Sequence, residues 1–411
     1  MMYRKTAVMV VVAAIVSGPG AWAQTVSYST APAPQTDTAL EGDKKIVDTQ
    51  LVPGFYPALT VAAVRHSNGK KSSNLRQAEI EYTASAGLTY KAELGQHDLQ
   101  LFYGATVISH SKFKQDNYIQ NTLGAGLNLD LTDRFNLLLD AGYVDGAEPR
   151  GSTGSRLVGN IDPDTYHLFR YGAEGIYGRR SNTMQVSLAA HQQQLRYTNN
   201  QQGFRDRDRL NLRGRAYYNL GPSTATFVEL TNSTIDYLTN NRLDSTEQSY
   251  SVGARWEATD ITSAEVSIGN LTKNFDDPTV NDFSGVTYLG KVLWAPQTFT
   301  NVSLYTSRRT EESSEPGSSY FVSNLLGVSV DYAYSDSIGL LAYTNYTKDD
   351  FSDTRRDTTW DYGLGMDYTM RPWLFLGLRA GQTSRSSNVS AANYDDQFIG
   401  LSVTMSNEPA K

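Results

Sequence analysis

The sequence contains no cysteine among its 411 residues. That excludes disulfide staples, thiolate metal sites and thiol catalysis. Beyond its first 16 residues, no segment approaches the roughly 20 consecutive apolar residues of a spanning helix, so any membrane-crossing part of the mature chain must be β. Charged residues make up 19%, below the usual quarter or so. The net charge of −7 argues against a nucleic-acid partner. Histidine is scarce too, with only His66, His97, His110, His167 and His191. None sits in a Gly-x-Ser-x-Gly or His-Glu-x-x-His context. His66 and His110 fall near serines at expected outer strand ends, where outer-membrane hydrolases place their catalytic groups. A lone rim histidine is ordinarily just hydrogen-bonded, so the reading is a non-enzyme. No cofactor and no metal site is expected. The acid pairs Asp276/Asp277, Asp349/Asp350 and Asp395/Asp396 are either loose Ca²⁺ ligands or solvated loop acids.

What is present begins with an export signal. Arg4 and Lys5 precede an 11-residue apolar run, Thr6 to Val16, then Gly18, Pro19 and Gly20, then Ala21-Trp-Ala23. This reads as a signal peptide over 1–23, cleaved after Ala23, with an apolar run too short to span a bilayer. Residues 24–53 begin Thr/Ser/Ala/Pro-rich and read as a flexible periplasmic leader.

From 54 to 406 the chain repeats strand, short turn, strand, long loop. The short turns centre near Gly95, Thr132, Arg179, Gly221, Thr259, Pro296, Ser335 and Arg371, with gaps of 37, 47, 42, 38, 37, 39 and 36 residues. Polar and apolar residues alternate between them. Tyr362, Leu364, Met366 and Tyr368 interleave with Asp361, Gly363, Gly365 and Asp367; Leu123 to Leu131 interleaves with Gly124, Gly126, Asn128 and Asp130. A first strand, Gly54 to His66, eight hairpins and a last strand, Asp396 to Met405, make 18. The reading is all-β: one transmembrane antiparallel up-and-down barrel in the bacterial outer membrane, with short periplasmic turns and longer extracellular loops. A mean hydropathy of −0.43 suits one face in lipid and one in water. Tyr90, Tyr143, Tyr177, Trp256, Trp294, Tyr334, Tyr368 and Trp373 read as a periplasmic aromatic girdle. Ser67 to Gln77, Asp145 to Asp164, Thr198 to Asp208, Arg308 to Ser318, Lys348 to Asp357 and Ser386 to Asp395 read as outer loops, and the longest, Asp145 to Asp164, is either a surface loop or a constriction folded into the pore.

A barrel of this size leaves a water-filled channel. Alternation places Glu81, Asp130, Arg170, Glu174, Arg213, Arg215, Glu229, Arg255, Glu257, Glu265, Lys291, Asp331, Asp367 and Arg379 on its wall. The arginines either hold an acidic sugar polymer or pair with lumen carboxylates. Phe102, Tyr217, Tyr343 and Phe375 are candidates to stack on sugar rings or to pack against a loop.

Several stretches resemble a β-barrel porin family often found with exopolysaccharide and capsule clusters: VRHSN at 64–68, EYTASAGLTYKAELGQHDLQLFYG at 81–104, SVGARWEATDITSAEVSIG at 251–269 and GLGMDYTMRPWLFLGLRAG at 363–381. The resemblance implies an outer-membrane porin that passes secreted polysaccharide beside a periplasmic polysaccharide-export protein; the alternatives are a general diffusion porin for small solutes or a rim-site hydrolase. Outer-membrane lipid and lipopolysaccharide are expected around it. Gly400, Val403 and Met405 resemble the sorting signal read by the barrel-assembly machinery, without its terminal aromatic.

Overall fold

The computed structural model describes residues 51–407 apart from 154–161, 222, 260 and 316. The expected signal peptide, and the leader as far as residue 50, lie outside the described residues. Eighteen strands follow one another: β1 (Gly54–His66), β2 (Glu79–Leu94), β3 (His97–His110), β4 (Tyr118–Thr132), β5 (Phe135–Ala147), β6 (Thr165–Tyr177), β7 (Met184–Tyr197), β8 (Arg207–Gly221) and β9 (Thr224–Tyr237). The second half comprises β10 (Ser245–Thr259), β11 (Thr262–Phe275), β12 (Phe283–Gln297), β13 (Thr300–Glu312), β14 (Tyr320–Ser335), β15 (Ile338–Phe351), β16 (Arg356–Arg371), β17 (Leu374–Ser387) and β18 (Tyr394–Ser406). Each pairs antiparallel with the next, and β18 pairs with β1 from Ala58↔Ser406 to His66↔Phe398. The sheet closes on itself and leaves no edge.

Turn chemistry explains the hairpins. Thr132 Oγ1 accepts the backbone N–H groups of Arg134 and Phe135, and Ser335 Oγ accepts those of Ser337 and Ile338, so a short hydroxyl side chain folds the backbone over in both. Gly95 supplies a left-handed φ of +71° at the β2–β3 turn. Six of the eight hairpins carry a register shift beside the short turn, as between Asp130 and Thr132. Such bulges sit at barrel rims and tighten the local twist.

The two faces alternate residue by residue. On β16, Trp360, Tyr362, Leu364, Met366 and Tyr368 are exposed on the outside, while Asp357 and Asp361 are buried on the inside. The periplasmic belt comprises Tyr90, Tyr177, Trp256, Trp294, Tyr334, Tyr368 and Trp373. Tyr143 does not belong to it. It lies four residues from the outer end of β5, opposite Phe169, in a second belt with Tyr82, Tyr346 and Trp360. Eight residues separate Trp360 from Tyr368; at about 3.4 Å each and a tilt near 40° this is about 20 Å, close to the apolar band of such barrels. Several segments expected as outer loops are strand instead. β13 runs on to Glu312, β15 to Phe351, and β16 starts at Arg356.

Among the described residues there is no central core. Four inward rings lie on the wall, each over a glycine of the paired strand. Phe102 covers Gly124, Phe227 covers Gly253, Tyr343 covers Gly363 and Phe398 covers Gly381. A Cβ at 124 would occupy the Phe102 ring itself. Near the outer end, Tyr166, Leu168, Leu195 and Tyr197 form one buried cluster and Phe275, Val280, Tyr320 and Val322 another.

The closing seam is reinforced by a buried carboxylate. Asp396 on β18 accepts from His66 Nδ1 on β1 (2.7 Å), from the Asn68 N–H (2.8 Å) and from Lys71, and is fully buried. Asp396→Ala would leave these partners without their acceptor, a loss of about 3–5 kcal/mol for a buried pair; the folded band on semi-native gels should vanish at a lower temperature than wild type. Gly124→Val should overpack the wall by about 1–3 kcal/mol or more. Adding Phe102→Ala should restore assembly, which the same gels measure.

Candidate functional site: the lumen and its mouth

The candidate site is the inner wall. On β8 the run RDRLNLRGR places Arg207, Arg209, Arg213 and Arg215 inward, with Asn211 between them. Each of three meets carboxylates on nearby strands: Arg209 Nη2 to Glu247 Oε1 (3.2 Å), Arg213 Nη2 to Glu174 Oε1 (3.2 Å), and Arg215 to Glu229 (2.6 Å) and Glu265 (3.0 Å). Arg215 lies over the Phe227 ring at 4.6 Å and Arg255 over Tyr217 at 4.6 Å, which fixes the guanidinium planes against the wall. From β6 to β10 the inward face carries six arginines (Arg170, Arg207, Arg209, Arg213, Arg215 and Arg255) and four glutamates (Glu174, Glu229, Glu247 and Glu257).

Nine strands round an 18-strand cylinder is diametrically opposite, which for β8 is β17. There the balance reverses. From β14 to β18 the inward face carries six aspartates (Asp331, Asp349, Asp357, Asp361, Asp367 and Asp396) against Arg379 and Arg385, while Arg355 and Lys71, in the adjoining loops, bond Asp357 and Asp396. Arg379 Nη2 bonds Asp367 Oδ2 at 2.6 Å, and Arg385 Nε lies 3.9 Å from Asp357. The arginine side thus keeps a small positive surplus and the aspartate side a small negative one, and the low-dielectric strand layer behind them focuses their field into the lumen.

The β5–β6 loop enters this space. At its root, Glu148 takes two bonds from Arg205, one of 2.7 Å, and one from the Tyr197 hydroxyl (2.6 Å). Burial alone would lower the Arg205 pKa, but the Glu148 carboxylate beside it raises the group above its ordinary value. Farther on, Arg150 clasps Asp116 with two bonds of 2.7 Å. The Gly151 carbonyl accepts from the Tyr394 hydroxyl (3.1 Å). Thr153 Oγ1 donates to Asp349 Oδ2 (3.0 Å) on β15 and accepts from Arg385 (3.3 Å) on β17. Ser152 and Thr153 are buried. Six residues from Ala147 reach about 20 Å when extended. The segment therefore crosses the mouth from β5 to the acidic wall. Of the two readings of this loop, the described part, Glu148–Thr153, takes the inward one.

The chain matches the family described as "Putative beta-barrel porin 2" over residues 54–407. The chain belongs to this porin family. No curated protein matches it. Solved structures similar to this porin include the outer membrane protein OpdK from Pseudomonas aeruginosa (10% identity, 86% of this chain and 99% of that one, TM-score 0.49) and a BenF-like porin from Pseudomonas fluorescens Pf-5 (10%, 87% and 100%, TM-score 0.47). Another is the siderophore receptor PirA from Acinetobacter baumannii (7%, 87% and 81%, TM-score 0.44). The molecule is a porin-like outer-membrane β-barrel, and its family and fold are those of a channel.

Every charged residue expected on the porin's wall lies on an inward register position: Arg170, Glu174, Arg213, Arg215, Glu229, Arg255, Glu265, Lys291, Asp331, Asp367 and Arg379, with Glu81, Asp130 and Glu257. The four candidate stacking rings are inward too, but differ in what they offer. Phe102 and Tyr217 are 3% and 7% exposed, packed on Gly124 and against Phe227, so they present little face to a sugar. Tyr343 and Phe375 are half-buried. The acid pairs Asp349/Asp350 and Asp395/Asp396 are split by strand alternation, with Asp349 and Asp396 inside and the other two outside. They cannot act as paired ligands. Asp277, in a loop, is spoken for by Thr279, whose hydrogen bonds hold its pKa below the usual carboxylate value. His66 and His110 spend Nδ1 on Asp396 (2.7 Å) and Glu79 (3.0 Å). Sequence reasoning missed the wall positions of Arg207, Arg209, Asp349, Asp357 and Asp396, because it assigned most of their stretches to loops and read Asp349 and Asp396 as loop acids or loose Ca²⁺ ligands. Their alternation with outward residues was the available signal.

Because the sequence lacks cysteine, the loop tether is open to a clean test. A Thr153→Cys, Asp349→Cys pair should cross-link under mild oxidation, and mass spectrometry of the digest should recover the loop peptide joined to β15.

Proposed function

We propose that this porin is a diffusion channel for small hydrophilic solutes, sorted by a field that runs across the lumen. The observation that carries it is the placement of the β8 arginine ladder opposite the aspartates of β15, β16 and β18. A solute in transit lies between a wall that attracts its negative groups and one that attracts its positive groups. Water in such a field is already oriented, so an apolar solute that displaces it loses that interaction and gains nothing in return. The loop from Glu148 to Thr153 narrows the route at the same level and sets an upper size.

Passage of a secreted polysaccharide, which the family resemblance implied, is the second reading. The half-buried Tyr343 and Phe375 rings favour it, since they line the wall where a sugar chain would slide. The loop across the mouth weighs against a thick polymer. Under that reading a periplasmic polysaccharide-export protein would dock at the short-turn end. Under both, the barrel-assembly machinery would engage the last strand through Gly400, Val403 and Met405, and the rim histidines carry no chemistry.

Planar-bilayer recording and liposome swelling test the choice. Ionic current should appear, Arg213→Ala should shift the reversal potential toward cation preference, and Asp361→Asn toward anion preference. Swelling rates should fall steeply from monosaccharides to oligosaccharides. A flat size dependence together with loss of extracellular polysaccharide on gene deletion would favour the export reading, and an insulating insertion would refute both.

A further inference from the structure

The contact that holds the loop tip is only half filled. Thr153 Oγ1 donates to Asp349 Oδ2 (3.0 Å) and accepts from Arg385 Nη2 (3.3 Å). The Ser323 hydroxyl bonds the same carboxylate. Its second oxygen, Oδ1, has no hydrogen-bond partner among the described residues, although Asp349 is 1% exposed. An ionised carboxylate accepts at both oxygens, and one left unmet away from water is costly. The neighbouring acid is the contrast. Asp357, opposite Asp349 in register, receives Arg355 on both oxygens, at 3.1 and 2.5 Å.

The loop's own hydroxyl defines what this place takes. Its occupant donates to a carboxylate and accepts from a guanidinium at once. A hydroxyl does both, whereas an ammonium group or a metal ion cannot accept. An anion would accept from Arg385 but meet Asp349 as a like charge. A lone hydroxyl serves Oδ2 and leaves Oδ1 bare. Two hydroxyls on adjacent carbons would serve both oxygens, the first standing where the Thr153 group stands now. Arg385 is held ready for this contact: its guanidinium lies 5.2 Å from the Tyr394 ring centre, and its Nε donates to Thr359 Oγ1 at 3.3 Å.

We propose that Asp349 and Arg385 form a binding site for the vicinal diol of a small polyol, which the loop fills with Thr153 when no solute is present. A diol displaces Thr153, so the loop tip leaves the acidic wall for a solute that replaces its contacts and stays in place for one that does not. This names the solute class of the channel proposed above and rests on that reading.

The absence of cysteine allows a direct test. In the intact barrel carrying Thr153→Cys, the thiol should react slowly with a water-soluble maleimide, because position 153 is buried. Sorbitol in excess should speed the labelling about tenfold. Triethylene glycol, similar in size but without adjacent hydroxyls, should not. In planar-bilayer recordings, sorbitol should cause transient interruptions of the current. Thr153→Val, which removes the competing hydroxyl, should tighten sorbitol binding about tenfold, and Asp349→Asn should weaken it about tenfold. Wild-type heat-modified gel bands would show that the variants fold. Labelling indifferent to sorbitol, equal acceleration by triethylene glycol, or a sorbitol affinity unchanged by Thr153→Val would overturn the proposal. So would acceleration by ethylammonium in place of sorbitol, the mark of a cation site. Labelling needs no current, so an insulating barrel would defeat the channel reading while this measurement still decides whether the diol binds.

Discussion

Everything in this molecule depends on the requirement that no backbone polar group meet hydrocarbon unpaired. A sheet can satisfy that in a bilayer only by closing. The nine residue pairs between β1 and β18 make the closure, and they join segments more than 300 positions apart in the chain. The other strand contacts are between sequence neighbours and form locally. The seam alone requires a long-range encounter, and the buried charge cluster around Asp396 reinforces it. The contact is enthalpically strong and geometrically demanding, so it favours the one register that also alternates faces correctly.

Most of the architecture was legible because it is written locally. A two-residue period, a glycine, proline or hydroxyl side chain at each short turn, and loops of contrasting composition suffice to count the strands and to say which way Arg213 or Asp367 points. The errors came where local pattern is silent. Tyr143 looked like its neighbours in the belt, but strand ends had been drawn too short, and an aromatic belongs to whichever membrane surface its depth dictates. The polar outer ends of β13, β15 and β16 looked like loop because they rise above the lipid, where neither face is apolar. The crossing of the mouth by Glu148–Thr153 is held by side chains 196 and 232 residues away from Thr153. No window of sequence contains both partners.

The charge distribution inside follows from the same closure. A closed sheet turns two stretches of sequence, 207–215 and 349–396, into facing walls. Within each wall, opposite charges neutralise neighbours at 2.6–3.2 Å, and the surplus is left to act across the gap. Local pairing and a cross-lumen field are therefore consequences of one arrangement. The pairs hold the side chains still, so the surplus has a fixed direction.

The rings seated on glycines bear on how such a channel can change over time. Each seat is shared by two strands, so enlarging the glycine or shrinking the ring alone leaves either a collision or a hollow. The free bore can thus be widened or narrowed only by paired replacements, one on each of two neighbouring staves. Among descendants of this barrel, positions 102 and 124, and 343 and 363, should drift together, and a paired charge of the lining, such as 367 with 379, should change with its partner as the chemistry outside the cell demands.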